Sequence, residues 1–266
     1  MINKLLAFLK KDFIIYISYK LFFIIKFVNI FLGVVVYYFL SKLIGFDASK
    51  YISNYSLDYF SYVIIGIAFS GYLNTAINTL SESLKDAQNT GTLEFMLSTP
   101  TSIILFLFGS SLWSFIVKSF DVIIYFVFGI FVFGLKLNNI NFLSTILITI
   151  LTVLSFISFG IFGASLVILY KRDFSGWINS VFRFLGGVYF PITIFPIGIK
   201  VFSYLMPVTY ALDGLRLALL KGYSISQLTA NILVLSLFII ILTPLSIYFF
   251  KFSINKAKKD GTLTEF

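Results

Sequence analysis

Apolar residues run along this chain in six long stretches separated by short polar connections. They extend approximately from Leu21 to Ile44, Tyr59 to Leu80, Ile103 to Leu135, Phe142 to Tyr170, Trp177 to Ile199 and Leu228 to Phe250. A hydrocarbon core about 30 Å thick is crossed by roughly 20 residues of helix, so each stretch predicts a transmembrane helix. Ahead of them, residues 1–19 place Ile2, Leu5, Leu6, Leu9, Phe13 and Tyr16 on one helical face and Lys4 and Lys11 on the other. That pattern predicts a helix lying in the membrane interface, with a solvated extension of the first span as the plainer alternative. No short apolar core followed by a small-residue cleavage site stands there, so the segment is expected to be retained rather than removed as a signal peptide.

Two regions depart from the simple alternation. Residues 82–100 begin polar and become amphipathic: Leu93, Met96 and Leu97 share a helical face, and Glu94 sits in a first turn, where the helix dipole favours a carboxylate. Thr99-Pro100 then reads as a cap and the first residue of the next helix. The pattern predicts a short surface helix tied between two spans. The apolar run that follows would be roughly 50 Å long as one helix, so it must start outside the hydrocarbon, tilt or bend. The second region, residues 191–222, carries Pro191, Pro196, Gly198 and Pro207 in a stretch that stays apolar. Pieces between these prolines are too short to cross, and unpaired backbone in lipid costs several kcal/mol per group, so a re-entrant helical hairpin is expected on the outer side. Its second arm carries Asp213 and Arg216 three apart on one face and stops at Lys221-Gly222.

Composition agrees with a membrane protein and narrows its chemistry. Hydrophobic residues make up 59% and charged residues 12%, with a mean hydropathy of +1.00, whereas soluble domains sit nearer half apolar and a quarter charged. The chain has no Cys and no His, which removes disulfides, thiolate nucleophiles, the usual zinc ligand sets and imidazole acid–base chemistry. No catalytic, cofactor-binding or metal-binding residues are expected. The net charge of +9 belongs to residues flanking the spans, where membrane orientation and anionic lipid account for it, and nucleic acid is not expected as a partner. Lys and Arg concentrate in residues 1–20, after the fourth span at Lys171-Arg172, and in the tail from Lys251 to Lys259. The positive-inside rule therefore places both termini in the cytoplasm.

Charges inside the spans are candidate functional groups, because such residues face protein or water. Lys118 and Asp121 stand three apart in the third span and Arg183 lies in the fifth. Lys118 and Asp121 either neutralise each other or line a pathway or gate. Lys26 lies close enough to the cytoplasmic end of the first span to snorkel to the interface.

At the two irregular regions the chain resembles the type 2 ABC exporter permeases. The resemblance rests on Gly91-Thr92-Leu93-Glu94 with Leu97, Thr99 and Pro100, on Gly187-Val188-Tyr189-Phe190-Pro191, and on the run from Tyr204 through Met206-Pro207-Val208-Thr209-Tyr210 to Asp213-Gly214-Leu215-Arg216. One departure is Asp213, where many relatives carry Glu. The resemblance implies an all-α integral membrane protein with an N-terminal interfacial helix, six transmembrane helices, a cytoplasmic coupling helix and an outer re-entrant hairpin, in a prokaryotic inner or plasma membrane. It implies that two permease copies pair, as a homodimer, and that separate ATPase subunits dock on the coupling region, with Gly91, Thr92, Leu93, Glu94, Met96, Leu97 and Pro100 as contact residues. Pro191, Pro207, Tyr210, Asp213 and Arg216 fall in the re-entrant region. ATP and Mg would belong to the partner, since no G-x-x-x-x-G-K-[ST] loop occurs in this chain. The cargo would be lipid-linked, polysaccharide, drug-like or otherwise amphipathic. The alternative is an ion-coupled secondary transporter, which predicts paired broken helices in both halves; the Gly/Pro interruption stands only in the second.

Overall fold

The computed structural model describes residues 9–10, 13–14, 16–18, 20–44, 49–55, 58–89, 91, 103–137 and 139–261. The described residues form helices and connections and no strand. Helix α1 spans Lys20–Ile44, α2 Ser49–Ile52, α3 Tyr59–Asn89, α4 Ile103–Phe131, α5 Phe142–Tyr170 and α6 Ser175–Leu185. A 3-10 turn follows at Ile192–Ile194, then α7 at Ile197–Tyr204, α8 at Pro207–Arg216, a π turn at Leu217–Lys221, and α9 at Thr229–Lys259. Of the interfacial segment, the described residues between 9 and 18 are helical. Of the coupling segment only Gly91 is described; Thr92 through Pro100 lie outside the described residues.

Among the described residues, five helices are long and apolar enough to cross a membrane: Phe23–Ile44, Tyr59–Ala87, Ser111–Phe131, Phe142–Tyr170 and Thr229–Lys259. The stretch Trp177–Ile199, expected as a continuous span, is broken. Helix α6 ends at Leu185 after 11 residues, about 16 Å and half of a hydrocarbon core. Gly187 turns the chain with φ +72°, a left-handed conformation that glycine adopts without a Cβ penalty, and Pro191 and Pro196 then deny the backbone two donors. In the other direction, α3 runs past Leu80, where its span was expected to end. No Gly or Pro interrupts Ser81 to Asn89, and Ser81, Leu84 and Ala87 remain buried against neighbours. The result is a rod of 31 residues, about 46 Å long.

Helix α3 is the axis of the bundle. Asp58 caps its start, accepting from the Phe60 and Ser61 amides at 3.2 Å each. It packs between α4 and α5, α5 packs against α9, and α1 lies along α4. The main core runs along α3 through Val63, Leu73, Ile77, Leu80 and Leu84 to Phe156 and Ile161 of α5 and Leu212 and Leu215 of α8. Small residues let the backbones approach: a Cβ on Gly160 would collide with the Ala76 carbonyl, so α5 meets α3 at close range. The outward faces of α1, α4 and α9 expose Leu21, Ile24, Phe120, Ile123, Ile240 and Ile241, an apolar exterior suited to a hydrocarbon surround. Along α5 the hydroxyls of Thr145, Thr149 and Thr152 donate to carbonyls four residues back at 2.7–2.8 Å, which satisfies them without water.

Candidate functional site

Two polar centres interrupt the apolar bundle, one beside the middle of α3 and one at its Tyr59 end. The first is built on the α1–α4 contact. Asp121, ten residues into the candidate span Ser111–Phe131, is about 15 Å from either end of it. Its carboxylate receives Lys118 Nζ at 3.3 Å and Lys26 Nζ at 2.7 Å. Lys26 therefore does not snorkel: it turns into the bundle and takes the shorter of the two ion pairs, with the Tyr16 hydroxyl 3.3 Å from its ammonium. A charged residue at the bilayer centre costs about 2.5–3.5 kcal/mol on insertion scales, and the shared carboxylate offsets part of that for both lysines.

The stem of Lys118 crosses α3 at Gly71, where a Cβ would occupy the space of its terminal carbons. One residue along, the Tyr72 hydroxyl donates to Ser119 Oγ at 2.8 Å, fixing the register of α3 on α4. From this centre a cavity of about 250 Å³ opens toward the Asn89 end of α3, lined by Tyr16, Lys26, Thr75, Thr79, Trp113, Ser114, Val117, Lys118 and Asp121. Two ammonium groups meet one carboxylate here, so the cluster carries a surplus positive charge. The Lys–Asp pairing expected within α4 is present, but it does not neutralise the site.

The second centre joins α3, α8, the start of α9 and the turn after α6. Arg216 is 3% exposed. Its guanidinium lies over the Tyr62 ring at 3.5 Å and donates to the carbonyls of Tyr62 at 3.2 Å, Gly187 at 3.0 Å and Val188 at 3.1 Å. Asp213 does not pair with it. That carboxylate accepts from the Tyr55 hydroxyl at 2.5 Å and from Asn231 Nδ2 at 2.7 Å, while Asn231 also reaches the Tyr210 carbonyl. Burial and the neighbouring Asp213 push the Tyr55 hydroxyl far above its ordinary range, so it remains a donor. The Tyr62 hydroxyl bonds the Gly187 carbonyl at 2.9 Å and that of Tyr59 the Tyr189 carbonyl at 3.0 Å. Gly66 makes the close approach possible, since a Cβ there would stand 2.5 Å from the Val188 oxygen.

Among the other expected residues, Pro207 opens α8 at its first position, where its missing N–H costs nothing. Tyr210 stands with Asp213 and Arg216 on the wall of a pocket of about 190 Å³. Pro191 starts the 3-10 turn. Arg183 of α6 joins neither centre directly: it lies 5.4 Å from the Tyr189 ring centre, its Nε is buried without an acceptor, and Tyr189 in turn stacks on Tyr37 of α1. Gly91 is exposed with φ +67° just beyond α3.

The described residues form an all-helical bundle of several membrane-length helices, with paired charges at mid-span and a broken, glycine- and proline-rich segment between the last two long helices, the architecture of a multi-pass membrane protein. A family model described as ABC-2 type transporter matches residues 3–220. The chain belongs to that family and is a membrane component of an ABC transporter. No curated protein matches it.

Proposed function

We propose that this chain is the permease subunit of an ATP-driven exporter, that two copies pair to form the conduit, and that both termini face the cytoplasm. ATP and its Mg are bound by a separate ATPase subunit, which docks on the segment from Gly91 to Pro100 with Thr92, Leu93, Glu94, Met96 and Leu97 as contacts. The cargo is amphipathic: lipid-linked, polysaccharide or drug-like. The membrane is the inner or plasma membrane of a prokaryote.

The observation that carries this reading is the continuity of α3. One uninterrupted helix joins the Arg216 centre, through Tyr62, to Asn89, two residues before Gly91. On its way it passes the charged cluster at Gly71. A push applied beyond Asn89 is transmitted by such a rod as displacement, because an unbroken helix has no hinge along its length to absorb it. The Arg216 centre anchors the far end through carbonyls of the turn that breaks the fifth apolar stretch. Movement of the ATPase is thereby felt both at the mid-membrane charges and at the broken segment.

The test is purification of the tagged chain from its native membrane, followed by reconstitution. An ATPase subunit should co-purify, and export should require ATP. Glu94→Lys or Leu97→Asp should lower transport-coupled hydrolysis and leave the isolated ATPase's basal rate unchanged. A chain that purifies alone and moves solute on an ion gradient without ATP would reject the proposal in favour of secondary transport.

A further inference from the structure

From the surplus charge of the mid-span cluster we infer that its cavity binds the anionic headgroup of a membrane amphipath, a phosphate in the first instance. Lys26 and Lys118 share one carboxylate, that of Asp121, at 2.7 and 3.3 Å. Among the described residues nothing else in the cavity wall is charged; Thr75, Thr79 and Ser114 contribute hydroxyls and Tyr16 a phenol. Two ammonium groups and several hydroxyls around one opening form a donor set for phosphate oxygens. In lipid, an uncompensated ammonium is costly, and an anion entering the cavity removes that cost.

The size and position of the cavity select the kind of anion. At about 250 Å³ it falls just below sites that enclose drug-sized molecules, so a headgroup fits and the acyl chains must stay outside. The opening lies between the middle of the bundle and its Asn89 end, beside α1, whose outward face is apolar. Acyl chains would run along that face. The Trp113 indole N–H, in the same wall, has no acceptor among the described residues. On the orientation proposed above the opening meets the cytoplasmic leaflet, and identifying the bound amphipath with the cargo rests on that proposal; binding itself does not.

Trp113 also supplies the test. The chain has two tryptophans, and the other, Trp177, lies exposed on α6, so Trp177→Phe leaves a single reporter in the cavity wall. In phosphatidylcholine nanodiscs, added dioctanoyl phosphatidate should change Trp113 emission saturably, and dioctanoylglycerol should not. Lys26→Gln preserves the Lys118–Asp121 pair and removes the surplus charge; it should fold normally and bind phosphatidate about tenfold more weakly. Asp121→Asn should bind it more tightly, because the internal competitor for both lysines is gone. Equal responses to phosphatidate and dioctanoylglycerol would overturn the inference, as would unchanged binding by folded Lys26→Gln or weaker binding by folded Asp121→Asn. Inorganic phosphate that binds as well as phosphatidate would overturn the headgroup assignment in favour of a free anion. Loss of ATPase co-purification, by contrast, would touch only the exporter proposal.

Discussion

The two polar centres solve the same problem, burying cations among apolar helices, by opposite means. At the Tyr59 end a single guanidinium is held by three backbone carbonyls and an aromatic face, and a carboxylate three residues away is separately satisfied by a phenol and an amide. Beside the middle of α3, two flexible ammonium stems converge on one carboxylate at the edge of an open cavity. Arginine's planar fork fixes geometry, whereas lysine is a mobile point charge. The first centre is therefore a lock on the backbone and the second a charge kept available. The contrast separates structure from function among residues that look alike as isolated charges in apolar sequence.

The largest effect should come from the lock. Arg216→Ala leaves the Val188 carbonyl without a donor and the Gly187 carbonyl with only the Tyr62 hydroxyl, and it empties the buried face of Tyr62 of its guanidinium; a buried unsatisfied group costs about 1–3 kcal/mol, and thermal stability should fall by several degrees. Arg216→Lys should recover little of it, since one ammonium cannot reach Tyr62 and the Gly187–Val188 turn with the same geometry. Recovery of wild-type stability by lysine would break the comparison.

Next comes the cluster. Asp121→Ala strands two lysines and should be the most damaging change there, with thermal stability lowest in neutral lipid and partly restored by anionic lipid. Removing Lys118 and Asp121 together should not restore stability, because Lys26 is left without its carboxylate; adding Lys26→Met should. Lys118→Met alone preserves the 2.7 Å pair of Lys26 with Asp121 and should be mild. Detergent-solubilised unfolding curves for these variants rank them directly.

Two glycines on α3 sharpen the contrast at smaller cost. Gly66→Ala drives a methyl into the Val188 carbonyl, which is backbone, whereas Gly71→Ala meets only the movable end of Lys118. The first should destabilise by about 1–3 kcal/mol, and the second should leave stability nearly unchanged while altering anion binding. Tyr55→Phe, between those two, removes one of the two donors to Asp213 and should cost about 1 kcal/mol, with Asn231 still in place.

Much of this was readable before the fold was known, and the exceptions share a cause. The helices of α1, α3, α4, α5 and α9 follow from apolar runs, and the Lys118–Asp121 contact follows from a spacing of three on one helix. Partners distant in sequence were hidden. Lys26 looked free to snorkel because Asp121, its partner, is on another helix. Asp213 and Arg216 have the spacing of a pair, yet Arg216 turns to carbonyls on α3 and the Gly187 turn, and Asp213 to Tyr55 and Asn231. The interruption at Gly187 and Pro191 was legible as glycine and proline in the sequence; what the apolar run through Ile199 hid was that the helix already ends at Leu185, since hydropathy does not register backbone conformation. Leu80 marked the end of apolarity and not of the helix, which only a breaker could have ended.

Thiol chemistry in this Cys-free chain tests the central claim most directly. Ser114→Cys places a near-isosteric thiol on the wall of the open cavity, and Leu215→Cys places one behind the Arg216 lock, where the side chain is fully buried. Reconstituted protein is treated with an anionic and a cationic methanethiosulfonate reagent of similar size. The account predicts that Ser114→Cys reacts, and several-fold faster with the anionic reagent, owing to the surplus charge of Lys26 and Lys118, while Leu215→Cys reacts with neither. Faster reaction of Ser114→Cys with the cationic reagent, or labelling of Leu215→Cys as readily as Ser114→Cys, would contradict it.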